Sequence, residues 1–95
     1  MMKYDKNNIM YANLNDILHF KIRIVSASTR RGSKLLYDGR PNCSGYNINQ
    51  YVTDGMTVGE YQSVITLHFN PHDPQYSLTK HLKYDVEKGY FELEG

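Results

Sequence analysis

His68, His72 and Asp73 fall within one short stretch of the 95-residue chain, and they are side-chain types that hold a divalent metal or pass a proton. The chemistry they would support is that of a small metal-assisted or general acid–base nuclease. Their spacing argues against it. They sit around Pro71 and Pro74 rather than one turn apart on a helix, as hydrolytic zinc motifs require. On the strand pattern read below, His81 would lie roughly 13 Å from His68 at about 3.3 Å per residue, too far to complete a site. The simpler reading is solvated loop histidines, with no metal and no cofactor. Cys43 follows Arg40 closely, and a nearby cation lowers a thiol's pKa, but no His or Asn can be assigned to it as a catalytic partner. Gly55 and Gly59 are not followed by the Lys-Ser or Lys-Thr pair of a phosphate-binding loop. Asn42-Cys43-Ser44 and Arg30-Arg31-Gly32-Ser33 match glycosylation and phosphorylation patterns only at the level expected by chance.

Charge is the stronger signal. Residues 21–40 hold Lys21, Arg23, Arg30, Arg31, Lys34 and Arg40 against Asp38 alone, net +5. Residues 41–95 carry three basic and seven acidic side chains, net −4, so the formal total of +1 conceals a polarised chain. Such a patch suits an anionic partner. Nine Tyr, no Trp and eight Asn resemble the composition of adaptable contact surfaces.

The elements that would position these residues read mostly as sheet. Met10, Leu14, Ile17 and Leu18 predict a short amphipathic helix over 9–18. Phe20, Ile22 and Ile24 alternate with Lys21 and Arg23, predicting a half-buried strand over 19–26 with the cations on its solvent face. A second strand at 34–37 would make a hairpin with a basic tip over 26–33, followed by a loop over 38–45 and a weaker strand over 46–52. Alternation then predicts strands over 61–69 and 76–86, the latter turning at 86–89 to pair Tyr84 with Phe91 and Leu82 with Leu93. A helix running from Asp73 and Pro74 to a stop at Gly89 is the competing reading of that segment, set aside because it scatters the tyrosines away from the leucines. Tyr37, Tyr61, Tyr76 and Tyr84 are expected inside; Tyr46, Tyr51 and Tyr90 are expected outside.

The expected architecture is a single α+β domain over 1–95: a short N-terminal helix on a mostly antiparallel sheet of five or six strands, with a partial barrel as one form. The lone cysteine, and the lack of an apolar leader or a membrane-length apolar run, place the chain in the cytoplasm and off the membrane. The expected role is non-enzymatic. Arg23, Arg30, Arg31, Lys34 and Arg40 would dock on a protein partner with an acidic surface. The small size and Lys/Asn/Tyr-rich character resemble inhibitors made by phages and mobile elements against bacterial nucleases and other defence proteins, implying an anti-CRISPR-like role in host defence evasion. Direct nucleic-acid binding, with Tyr37 or Tyr46 as a stacking ring, is the first rival; the sequence pI of 7.9 counts against it. The His68/His72/Asp73 nuclease is the second. On the leading reading, changing Arg30 and Arg31 to Glu would weaken binding and leave stability intact.

Overall fold

The computed structural model describes residues 3–32 and 34–95. Its organising element is the last strand. Phe91–Glu94 (β5) lies between Lys3–Tyr4 (β1) and Lys21–Ile24 (β2), antiparallel to both, with Leu93 opposite Tyr4 on one side and Ile22 on the other. Its alternation is that of a strand with one buried face: Phe91 and Leu93 point into the core, while Glu92 and Glu94 lie at the half-wet face and reach Lys3 and Arg23. The outer edge of β2 is covered by residues 55–57. Ile22 donates its N–H to the Met56 carbonyl and accepts from Gly55, both at 2.7 Å. The Asp54-Gly55 turn allows this, with Gly55 at a φ of +88°.

Three α-helices among the described residues cover the sheet and close the core: Gly45–Asn49 (α1), Val58–His68 (α2) and Lys80–Glu87 (α3). Val58, Tyr61, Ile65 and the following Phe69 are buried, a stripe at helical spacing along α2. Leu82 and Val86, one turn apart on α3, complete the wall with Ile48 of α1. A separate two-stranded ribbon pairs Leu36–Tyr37 (β3) with Arg40–Pro41 (β4). The α+β class and the antiparallel pairing hold, and the described residues form two sheets, of three and two strands, and no closed barrel rather than one sheet of five or six.

Several expected elements are replaced. The helix over 9–18 is two 3-10 turns, Ile9–Tyr11 and Leu14–Asp16, separated by extended Ala12. Asn13 accepts a hydrogen bond from the Asn15 amide, a local contact that competes with helix propagation, and the buried residues Ile9, Ala12, Leu14 and Ile17 follow no single helical stripe. The strand over 46–52 is α1, begun by Ser44, whose hydroxyl accepts from the Asn47 amide at 3.1 Å. The strand over 61–69 is α2, where a capping box joins Thr57 and Glu60: each side chain accepts from the other's backbone N–H, at 3.1 and 3.0 Å. The strand over 76–86 is largely α3, ended at Gly89 with φ +83°, so the helical reading was correct in its stop. Consequently Phe91 pairs with Ile24, not Tyr84, and Leu93 with Ile22 and Tyr4, not Leu82. Nor does 34–37 pair with β2. Asp38 and Gly39, with φ of 50° and 83°, form a two-residue hairpin turn that returns β3 onto β4.

The tyrosines redistribute accordingly. Tyr61 is buried, Tyr37 and Tyr76 are half-buried, Tyr84 is exposed, and Tyr46, Tyr51 and Tyr90 are half-buried rather than outside. No described helix is long and apolar enough to cross a membrane.

The capping box makes α2 the most locally determined helix. Thr57→Ala should lower stability by about 1 kcal/mol through loss of the Thr57 acceptor. Chemical denaturation at fixed pH reads this directly, and an unchanged midpoint would show that tertiary burial alone holds the helix start.

Candidate functional site

The basic residues that are neighbours in sequence do not form one surface. Arg23 lies on β2 and donates from Nε to Glu94 Oε2 at 2.9 Å, with Asp54 Oδ2 3.8 Å from its Nη1. Its charge is matched by two carboxylates. Arg30 is more deeply committed, its side chain only 14 % exposed. Its guanidinium lies 3.4 Å from Asp85 Oδ2, donates to His81 Nδ1 at 3.1 Å and stacks 4.4 Å from the centroid of the Tyr84 ring. It packs so closely on Gly45 that a Cβ there would overlap the guanidinium. Arg30 is therefore a structural clamp holding residues 26–32 against α3 and α1, and its reversal to Glu would place two carboxylates together in the interior. Arg30, expected as a docking residue, is thus largely engaged within the protein.

Asp85 is completely buried, and among the described residues its Oδ1 has no hydrogen-bond partner; the same is true of buried Tyr61 OH and Asn49 Oδ1. Burial pushes the Asp85 carboxyl up to about 6, against the opposing pull of Arg30. Burial, reinforced by the Asp85 charge, likewise raises the Tyr61 phenol. His81 is lowered by burial, and the Arg30 charge lowers it further. With Arg30 donating to Nδ1, the neutral ring carries its proton on Nε2, which donates to the Gln75 carbonyl at 2.9 Å.

The other chemical candidates separate. Both Asp73 oxygens accept backbone amides, from Cys43 at 2.8 Å and from Gln75 at 2.9 Å, so this carboxylate ties two loops together. His68 stacks on Tyr51 with centroids 4.4 Å apart, and His72 is exposed. Among the described residues no group of three His, Cys, Asp or Glu side chains is placed to hold a metal. Cys43 is buried, and its thiol is pushed up to about 12, by burial and then by the Asp73 charge. Activation by Arg40 does not occur, because that side chain turns away to donate to the Phe69 carbonyl at 3.2 Å. Ser33, the acceptor of the phosphorylation pattern, lies outside the described residues.

What remains on the surface is a smaller basic set with an apolar companion. Arg31 is exposed, Lys34 Nζ lies 4.5 Å from the centroid of the Tyr46 ring, and Arg40 projects from β4. Between them Leu35 and Leu36 are 73 % and 68 % exposed. The β3–β4 ribbon that carries these residues is fixed to the loop after α2: Tyr37 OH donates to the His72 carbonyl at 3.0 Å, and Asn70 Nδ2 donates to Asp38 Oδ2 at 3.3 Å. Sequence reasoning missed the leucines as surface residues because it assigned 34–37 to the main sheet. The Asp38-Gly39 dipeptide was the signal that could have placed them on a hairpin of their own. Compared with known proteins, the chain matches no family model, no curated protein and no solved structure.

Two outcomes follow for the buried groups. The unfolded Asp85 titrates near the ordinary carboxylate value of about 4, below its value of about 6 in the fold. Its contribution to stability is thus complete below about pH 4 and is lost as pH rises through about 6. His81, lowered, contributes in the opposite sense, its share being lost as pH falls below its ordinary range. Relative to Asp85→Asn, the wild-type protein should lose on the order of 1 kcal/mol per pH unit between about pH 4 and 6. Parallel stability curves for the two proteins would show that Asp85 does not titrate there. Separately, Cys43 should resist a disulfide-exchange reagent at pH 8 in the native protein and react at once in denaturant. Rapid native reaction would mean that the site opens.

Proposed function

We propose that this protein is a non-enzymatic binding protein that docks the β3–β4 ribbon and the adjoining Arg31 and Lys34 onto an acidic protein surface. The observation that carries this reading is the interleaving of exposed Leu35 and Leu36 with Arg31, Lys34 and Arg40 on a ribbon anchored at its turn. Cations flanking apolar side chains match a protein face that offers carboxylates around an apolar centre, where the apolar contact supplies affinity and the charges supply steering. An acidic face of a bacterial nuclease or other defence protein is a surface of the complementary kind. An inhibitor carried by a phage or mobile element, with an anti-CRISPR-like role, is the biological setting we attach to it.

Direct nucleic-acid binding is less well supported. Arg23 and Arg30 are occupied by carboxylates, leaving fewer cations for phosphate contacts. Tyr46 is half-buried beneath Lys34, and Tyr37 is held by its hydroxyl, so neither offers a free stacking face. The nuclease reading loses Asp73, whose oxygens are both committed to backbone amides.

Arg31→Glu combined with Lys34→Glu should weaken partner binding by roughly 2–5 kcal/mol through like-charge repulsion, with the melting temperature within a few degrees of wild type. The test is affinity capture from a bacterial lysate, split into nuclease-treated and untreated halves, with both proteins as bait. A partner retained by wild type and lost by the variant supports the reading. Equal capture by both sinks it, and capture that depends on intact nucleic acid selects the rival.

A further inference from the structure

Along the outer face of α2 lies an open groove of about 760 Å³ whose walls include Leu18, Leu67, Leu78 and Arg40. Two of the leucines stand well into solvent, Leu18 at 41 % and Leu67 at 71 %. The polar groups of the floor already have partners within the protein. Ser63 Oγ donates to the Gly59 carbonyl at 3.1 Å, Thr66 Oγ1 donates to the Gln62 carbonyl at 3.0 Å, and the Gln62 amide donates to Asn15 Oδ1 at 3.2 Å. Such a floor offers methyl and methylene surface and little for a polar small molecule to bind. Arg40 is the one charged residue lining the groove, and no carboxylate lines it. One Arg40 donor is used by the Phe69 carbonyl, and its others have no partner among the described residues.

We infer that this groove receives an amphipathic helix of the acidic protein partner, its apolar ridge laid between Leu18, Leu67 and Leu78 and a carboxylate paired with Arg40. From Gly59 to Leu67 the floor extends about 12 Å at 1.5 Å per residue, which matches two turns of an occupant helix with apolar residues at i, i+3, i+4 and i+7. The occupant's charge follows from the groove: an apolar trough lined by a single cation and no carboxylate is complementary to an apolar ridge that carries a carboxylate, and it repels a basic one. Arg40 belongs both to the ribbon and to the groove wall, so the two surfaces are continuous and can engage one partner together. This inference rests on the protein-binding role proposed above, and extends it by naming the partner's structural element.

The test is an amide chemical-shift titration of the full chain with two synthetic 14-residue helix-forming peptides. Both carry leucine at i, i+3, i+4 and i+7; one has two Glu in its first turn and the other has Gln in their place. The Glu peptide should shift Gln62, Ser63, Thr66 and Leu67 and bind about threefold to fivefold more tightly than the Gln peptide at low salt. Leu67→Lys, which keeps the groove cationic while removing an apolar wall, and Ser63→Gln, which fills the floor, should each weaken the Glu peptide at least tenfold with unchanged melting temperature. No shifts at millimolar peptide, shifts confined to other faces, or equal affinity for both peptides would overturn the inference. So would a wild-type dimer, by light scattering, that Leu67→Lys makes monomeric, since the occupant would then be a second copy. These variants leave Arg31 and Lys34 in place. A silent groove with ribbon-dependent capture therefore rejects the groove alone, and a binding groove with capture indifferent to the ribbon rejects the ribbon reading alone.

Discussion

A carboxylate with no access to solvent, Asp85, faces a guanidinium brought from 55 residues away, and much of the molecule is arranged around that pair. Desolvation makes the ionised carboxylate costly, and the Arg30 contact at 3.4 Å, with a smaller contribution from the Asn49 side chain, does not fully offset it, which is why the carboxyl titrates so high. The pair therefore adds little to stability and much to definition. Arg30 can reach Asp85 only by lying over Tyr84, beside His81 and across the bare backbone of Gly45, so one side chain sets the relative positions of α1, α3 and the segment after β2. A larger residue at Gly45 or a shorter one at Arg30 would disturb all three.

This commitment also divides the basic segment into two kinds of cation. Arg23 and Arg30 are held by Glu94 and Asp85, across the sheet and in the interior, while Arg31, Lys34 and Arg40 remain toward solvent beside two exposed leucines. The net charge of the segment is unchanged, but its useful field comes from fewer residues. The balance between a protein-facing and a nucleic-acid-facing surface shifts with it, because apolar side chains contribute to the first and not to the second.

How much of this was legible varied with how local the deciding physics was. The strand at 91–94 was readable, since Phe91 and Leu93 alternate with two glutamates just after a glycine stop. The strand at 21–24 was readable for the same reason. Tyr61, Ile65 and Phe69 fit both a two-residue and a four-residue repeat, so periodicity could not separate strand from helix. The Thr57/Glu60 capping box could have done so. In the segment ending at Gly89, the buried pair Leu82 and Val86 lies one turn apart and the tyrosines do not lie with it; Tyr84 is exposed, so treating Tyr76 and Tyr84 as core residues produced the wrong period. The site was legible only as a cluster of charge. Which cations are spent internally depends on Asp85 and Glu94, distant in sequence and carrying no local sign of their destinations.

The position of β5 has a kinetic consequence. It follows every other described strand in sequence and is the middle one of its sheet, so Lys3 meets Glu94 and Ile22 meets Leu93 only after the residues between them have closed into loops. Helices capped by their own neighbours can form early, whereas β1 and β2 have no shared partner until residues 91–94 arrive. During synthesis β1 and the edge of β2 that faces β5 must wait unpaired, a period in which the polar residues flanking these strands would protect them from pairing with other chains.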